Sequence, residues 1–346
     1  MKMNLKENNL DWLRLLFAFQ VLLIHGLEDL MSASSSPFAS LLHHFPGVPA
    51  FFFVSGFLIY ASFDKNPRIN GYAKNRFFRL WPGLVFVTLG GLSVVLYAHA
   101  KLGYLDINLD TYFIWFLSQI SVGQAWNPGD FSNVGLGVIN GALWTITVEI
   151  IFYISVPIIY WLEKKFDGVV ISLFFLSFFF YCFGDKIFQD ITFAGKKLFD
   201  YFSLTPVVWG WMFLLGTLAY KHMAKIEQYF KYLYLAFPII LFLIYLDIDS
   251  SLLFASSGNR LGIFYFCAYG ALILIASFRT PFIKLNHDIS YGLYVWHMVV
   301  INLLIVLEIR NIFLMILVTF LISVLSWILI ERPMLKRKKF SLRNVT

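Results

Sequence analysis

Ten apolar runs, each long enough to cross a lipid bilayer or nearly so, leave this chain little choice of environment. They fall at 11–30, 47–63, 80–100, 142–162, 168–184, 205–221, 232–247, 260–278, 288–308 and 311–331. A hydrocarbon core about 30 Å thick needs roughly 20 apolar residues of α-helix, which satisfies its own backbone hydrogen bonds without water. Hydrophobic residues make up 59% of the 346 and charged residues only 14%, against about a quarter charged in a soluble domain. The expected fold is an all-α integral membrane protein. It should form a single bundle of about ten transmembrane helices over residues 1–346, with no separate soluble domain.

Charge sets the direction. With a cytoplasmic N-terminus, ten spans place 21 of the 27 lysines and arginines on the cytoplasmic side, as the positive-inside rule requires. Only Lys101, Lys186, Lys196, Lys197, Arg260 and Arg310 fall outside. The apolar patch from Tyr112 to Val122 is too short to span, and counting it would export the basic tail that begins at Lys336. Residues 112–141 therefore read as an external loop, with a re-entrant or interfacial segment left open, and both termini are expected in the cytoplasm. The net charge of +7 belongs mostly to short loops beside spans, so membrane lipids are expected partners and nucleic acid is not. The first helix superficially resembles a signal peptide, yet it carries Asp11, Arg14 and His25 and is long enough to span, so cleavage is not expected. Cys182 and Cys267 lie inside apolar runs and read as small buried hydrophobes. No metal cluster of Cys and His is apparent, and His43-His44 lack a third ligand.

Ionisable groups inside spans are costly and by default functional. Arg14 and His25 are eleven residues apart, which on a helix returns the side chain to within about 20° of its starting direction and roughly 16 Å along the axis. The orientation puts Arg14 at the cytoplasmic mouth and His25 toward the outside. Glu149 lies at a matching depth: His25 is about five residues from the external end of its helix and Glu149 about seven. An imidazole and a carboxylate at one depth suit a general-base dyad, in which the carboxylate fixes the tautomer and stabilises the imidazolium. A structural polar contact between helices is the plainer alternative. His297, near mid-depth, and Tyr291, Trp144 and Asp11 are further candidates to line the same cavity, although His297 equally suits a packing hydrogen bond.

Asn75-Arg76-Phe-Phe-Arg79-Leu-Trp-Pro82 presents two arginines on adjacent helical turns at the cytoplasmic side. Guanidinium forks bind phosphate bidentately, and arginines before a span also serve as plain membrane anchors. Arg332, in Glu331-Arg332-Pro333, stands in the same position at the end of the last span. Ser55-Gly56 permits close helix approach.

Taken in order, these stretches resemble the acyltransferase family 3 of membrane proteins. The resemblance rests on Arg14 and His25 in the first helix, Gly47-Val followed by Phe-Phe-Val-Ser-Gly-Phe, and the pair Arg76 and Arg79. It continues through Leu143-Trp-Thr-Ile-Thr-Val-Glu149 with its following Phe-Tyr, Ser290-Tyr291 with His297, and the terminal Glu331-Arg332-Pro333. It implies a ten-helix protein of the bacterial cytoplasmic membrane that moves an acyl group, most often acetyl from acetyl-CoA, onto hydroxyls of extracytoplasmic glycans. It further implies an acceptor-side role for His25, a CoA-side role for Arg76 and Arg79, and an embedded carboxylate at Glu149. Acyl-CoA would be a co-substrate, with no permanently bound cofactor. Thr145 stands where such proteins commonly have Ser, and Pro49-Ala50 replace a frequently acidic, apolar pair, which leaves the acceptor open. The mechanism expected here docks the CoA phosphates on Arg76 and Arg79 together with Arg14 and Arg332, and has His25, oriented by Glu149, take the proton of the attacking hydroxyl. A two-step route through an acylated residue is equally consistent. A proton-coupled transporter or lipid-linked glycan flippase using His25, Glu149 and His297 as a relay is the rival, and a structural or sensor protein the third reading.

Overall fold

The computed structural model describes residues 3–103, 108–193, 196–247 and 252–336. Lys2 and the basic residues after Lys336, counted above among the cytoplasmic charges, lie outside the described residues. Along the chain run α1 (Leu10–His25), α2 (Pro37–His43), α3 (Gly47–Lys65), α4 (Ile69–Leu102), α5 (Leu109–Gln119), α6 (Trp144–Lys165) and α7 (Val169–Ile187). They are followed by α8 (Leu198–Phe202), α9 (Pro206–Lys221), α10 (Met223–Gln228), α11 (Ala236–Leu246), α12 (Ile263–Phe278), α13 (Ser290–Val306) and α14 (Ile312–Ser326). The one strand pairing among the described residues is two residues long, Thr192–Phe193 against Lys196–Lys197.

Seven helical stretches among the described residues are long and apolar enough to cross a membrane: Leu10–Leu30, Pro37–Lys65, Ile69–Leu102, Gly141–Lys165, Val169–Ile187, Leu198–Lys221 and Ile312–Lys336. Three further apolar helices, Phe230–Leu246, Ile263–Phe278 and Ser290–Val306, are shorter. The patch expected to remain in a loop is helical as α5, but its 11 residues rise only about 16 Å, roughly half a hydrocarbon core. α4 runs well before its apolar run and carries Arg76 and Arg79 on the same continuous helix as Pro82.

The chain divides into two compact units. One comprises Met1–Gln20, Ser40–Pro67 and Ile151–Asn286, the other Val21–Ala39, Arg68–Ile150 and His287–Thr346. In the first, α3 and α9 cross with their backbones touching. A Cβ on Gly56 would stand 1.8 Å from the Phe213 carbonyl oxygen, and one on Gly216 would stand 1.9 Å from that of Phe53. Small residues are what permit such an approach between apolar helices, where dispersion replaces the hydrophobic effect as the attraction. Thr217 Oγ1 donates across the crossing to the Gly56 carbonyl at 3.2 Å. Beside it Trp211 is fully buried among Phe174, Phe178, Tyr181 and Phe266.

The second unit is organised on α13. Tyr291 packs where Gly83 of α4 lacks a side chain, and its hydroxyl donates to the Leu80 carbonyl at 3.0 Å. α5 docks on α4 through His99, which is hydrogen-bonded to the Tyr112 hydroxyl. The loop between α5 and α6 is fastened by one buried amide. Asn302 Oδ1 accepts from Leu136 N–H at 2.7 Å, and Nδ2 faces the carbonyls of Val138, Ile139 and Met298 at 3.0–3.1 Å. Gly135, at φ 56°, passes so close that a Cβ would sit 2.0 Å from Asn302 Oδ1. Buried backbone groups that lose their partner bear the full desolvation cost. Asn302→Ala should therefore destabilise the protein by about 1–3 kcal/mol, read as a lower unfolding midpoint in detergent. An unchanged midpoint would show that the loop is held by something else.

Candidate functional site

α1 ends at His25, and the next turn, Gly26–Leu30, widens into a π-helical turn closed by Met31 N–H donating to the Gly26 carbonyl at 3.1 Å. Such turns insert one extra residue and recur at functional sites. Asp29 lies in this turn, and its Oδ2 accepts from His25 Nδ1 at 2.8 Å. A carboxylate oxygen accepts, so when the imidazole is neutral its hydrogen stands on Nδ1 and Nε2 carries the lone pair, the form a general base needs. The two side chains remain 34% and 30% exposed, which leaves the pair reachable by a ligand.

His297 of α13 stacks on His25, with ring centroids 5.2 Å apart and planes 30° from parallel. Unlike His25 it is completely buried. Its Nδ1 donates to the Leu293 carbonyl one turn earlier at 3.3 Å, and its Nε2 has no hydrogen-bond partner among the described residues. The ring of Tyr294 meets that of His297 edge-on at 6.1 Å. The Tyr294 hydroxyl lies 2.6 Å from Thr145 Oγ1, and both reach the Ala142 carbonyl. Asn140 Nδ2 donates to the Val295 carbonyl at 2.8 Å, tying the segment before α6 to the same helix.

Glu149 stands one turn beyond Thr145 on α6, half-buried, with Tyr72 and Tyr294 within its electrostatic reach. The carboxylate found on His25 Nδ1 is Asp29. Trp144 opens α6 and is half-buried. Tyr291 has its hydroxyl hydrogen committed to Leu80, so it is a strut between α4 and α13.

The arginines differ from one another. Arg76 extends over the Tyr72 ring at 5.4 Å. Arg79 is ion-paired: Nη2 donates to Asp288 Oδ2 at 2.6 Å, with the side chains only 19% and 16% exposed. Arg332 is exposed and follows a second π-helical turn, Trp327–Glu331, in which Glu331 is buried and accepts from Ser326 Oγ at 3.0 Å. Arg14 lies in the other unit, 3.9 Å from Asp11 one turn earlier. His44, read from sequence as a possible loop ligand, is buried with Nδ1 hydrogen-bonded to the Ser256 carbonyl at 2.9 Å.

Two carboxylates important to this geometry, Asp29 and Asp288, were not singled out in the sequence. Asp29 had a signal, since a residue four positions beyond His25 returns to the same helical face. Asp288 had none: its partner is 209 residues away.

The model of an acyltransferase domain matches residues 7–332. Nodulation protein 10 of Rhizobium leguminosarum bv. viciae is 27% identical over 352 residues, covering 95% of this chain and 94% of its own. An O-acetyl transferase of Shigella phage Sf6 is 25% identical over 353 residues, covering 96% and 97%. A putative acetyltransferase of Acidianus two-tailed virus is 24% identical over 266 residues, covering 75% and 73%. No solved structure matches. A match that begins before α1, passes through His25, Arg76, Glu149 and His297 and ends at Arg332 takes in every element of the site, and the chain belongs to acyltransferase family 3.

Proposed function

We propose that this protein is a membrane O-acyltransferase that moves an acyl group, acetyl foremost, from cytoplasmic acyl-CoA to a hydroxyl of an extracytoplasmic glycan. Its place would be the bacterial cytoplasmic membrane, with ten spans and both termini inside. The observation that carries the reading is His25 with Nδ1–H on Asp29 and Nε2 available as a base. The name of the Shigella phage relative, an O-acetyl transferase, agrees with acetyl as the group moved.

In the reaction, His25 Nε2 takes the proton of the acceptor hydroxyl as its oxygen attacks the thioester carbonyl. The C–O bond forms, the C–S bond breaks, and the CoA thiolate leaves with the proton returned by the His25 imidazolium. Asp29 holds the ring and stabilises its transient charge. Glu149 adds negative field on the Tyr294 side. CoA phosphates bind at the basic end, and here the arginines should not be equal. Arg79 is ion-paired with Asp288, and Arg76 lies over the Tyr72 ring.

The test is transfer of labelled acetyl from acetyl-CoA to a surface glycan by purified protein in detergent, where no gradient exists. Transfer under those conditions supports the enzyme, and none favours the proton-coupled transporter. In the same assay Arg76→Ala should raise the donor KM several-fold with little change in kcat, as expected for a contact made equally in the ground state and the transition state. Arg79→Ala should mainly lower folded yield, because it removes the cation that faces the part-buried Asp288 carboxylate. Equal KM effects from the two would remove the distinction.

A further inference from the structure

General-base chemistry assigns His297 no task. A buried imidazole is ordinarily satisfied on both nitrogens or exposed on one. Here Nδ1 is tied to the Leu293 carbonyl of its own helix, and Nε2 is sealed from solvent with no partner among the described residues. A carbonyl only accepts, so Nδ1 carries the hydrogen and Nε2 presents a lone pair. His25, stacked against it at 5.2 Å, has the same arrangement, with Nδ1 tied to Asp29. The site thus holds two lone-pair acceptors on adjacent rings. A single alcohol satisfies one. A ligand with two neighbouring O–H groups satisfies both, since each O–H···N bond spans about 2.8 Å.

Resting on the acyl-transfer reading, we propose that His297 Nε2 is a second acceptor position that binds the hydroxyl next to the one being acylated, so that the acceptor is a vicinal diol. The reacting hydroxyl gives its proton to His25. The neighbouring hydroxyl donates a hydrogen bond to His297 and keeps its proton, which holds the attacking oxygen at one orientation. His297 is therefore a specificity-determining residue. It disfavours isolated hydroxyls, because they leave a buried lone pair unmet.

The smallest probes differing by that one group are trans-cyclohexane-1,2-diol and cyclohexanol. Wild-type protein with acetyl-CoA in detergent should acylate the diol at least roughly tenfold faster in kcat/KM, the order of one buried hydrogen bond. His297→Phe keeps an aromatic ring against His25 but offers no acceptor, and it should bring the two alcohols to within about twofold of each other. His297→Gln, which restores an acceptor atom, should regain part of the preference. A merely structural role for His297 would lower both rates alike and leave their ratio at the wild-type value, and that result overturns the proposal. So does acylation of the two alcohols by wild type at equal rates. Binding, read as a rise in the unfolding midpoint of His25→Gln with each alcohol, separates this inference from its parent. Preferential binding of the diol with no acylation by wild type would sink acyl transfer and leave the diol site standing. Acylation of both alcohols at one rate would do the reverse.

Discussion

Replacing His25 with glutamine should lower acyl transfer by about 10²–10⁴-fold, the usual contribution of a positioned general base. Glutamine is polar and of similar reach, but its amide cannot take a proton at neutral pH. The effect should fall on kcat, measured as single-turnover transfer of labelled acetyl at saturating acetyl-CoA. Folding should survive, because the His25 side chain is 34% exposed and its hydrogen bond is local to one helical turn. Asp29→Asn should give a smaller loss. The Asn amide still meets Nδ1, but the negative charge that fixes the Nδ1–H tautomer and stabilises the imidazolium is gone. Retention of most transfer by His25→Gln would remove this residue from the chemistry. An Asp29→Asn defect equal to that of His25→Gln would show instead that the carboxylate charge, more than ring orientation, governs the step.

The largest effect on folding should come from Gly56. A valine there pushes a branched side chain into the Phe213 carbonyl, which already stands 1.8 Å from the position of a Cβ. That obstacle is backbone and has no rotamer by which to withdraw, so α3 and α9 must separate. Overpacking of a side chain costs about 1–3 kcal/mol, and prising two helices apart should exceed that range. Gly56→Val should therefore leave little monodisperse protein on size exclusion in detergent. Gly216, whose Cβ would meet the Phe53 carbonyl at 1.9 Å, should behave alike. Gly270→Ala is the informative contrast. Its nearest neighbour is the Phe53 ring at 2.9 Å, a side chain that can shift, so the loss should be smaller. Comparable yields for Gly56→Val and Gly270→Ala would show that the crossing is looser than its backbone distances imply.

Much of the helical architecture was legible because lipid imposes one rule on every span: a continuous apolar stretch. What the rule conceals is where helix extends beyond the apolar part. The run 80–100 marks only a portion of α4, since Arg76 and Arg79 are good helix formers that hydropathy discards. Similarly, the run 232–247 becomes a 3-10 segment followed by an 11-residue helix, because hydropathy is indifferent to the type of turn. At the site, His25 and His297 were readable as costly polar residues in apolar surroundings. Their contact was not, since the facing of two helices 272 residues apart depends on packing that no local pattern encodes. Depth alone drew attention to Glu149 as partner of His25 and away from Asp29, one turn along the same chain. Thr145 was visible only as a departure from a familiar pattern, and the Tyr294 hydroxyl that it meets supplies a physical use for its hydroxyl group.

The two neighbours of His25 are held by bonds of very different range. Asp29 is four residues away and is delivered by the turn that continues α1, so it arrives as soon as that helix forms, on the sub-microsecond to microsecond scale of helix formation. His297 comes from a distant helix and arrives only with tertiary assembly. Heat or harsh detergent that loosens α13 will therefore part the stacked rings before it parts His25 from Asp29. The His25–Asp29 pair is the earliest piece of the site to form and the last to be lost.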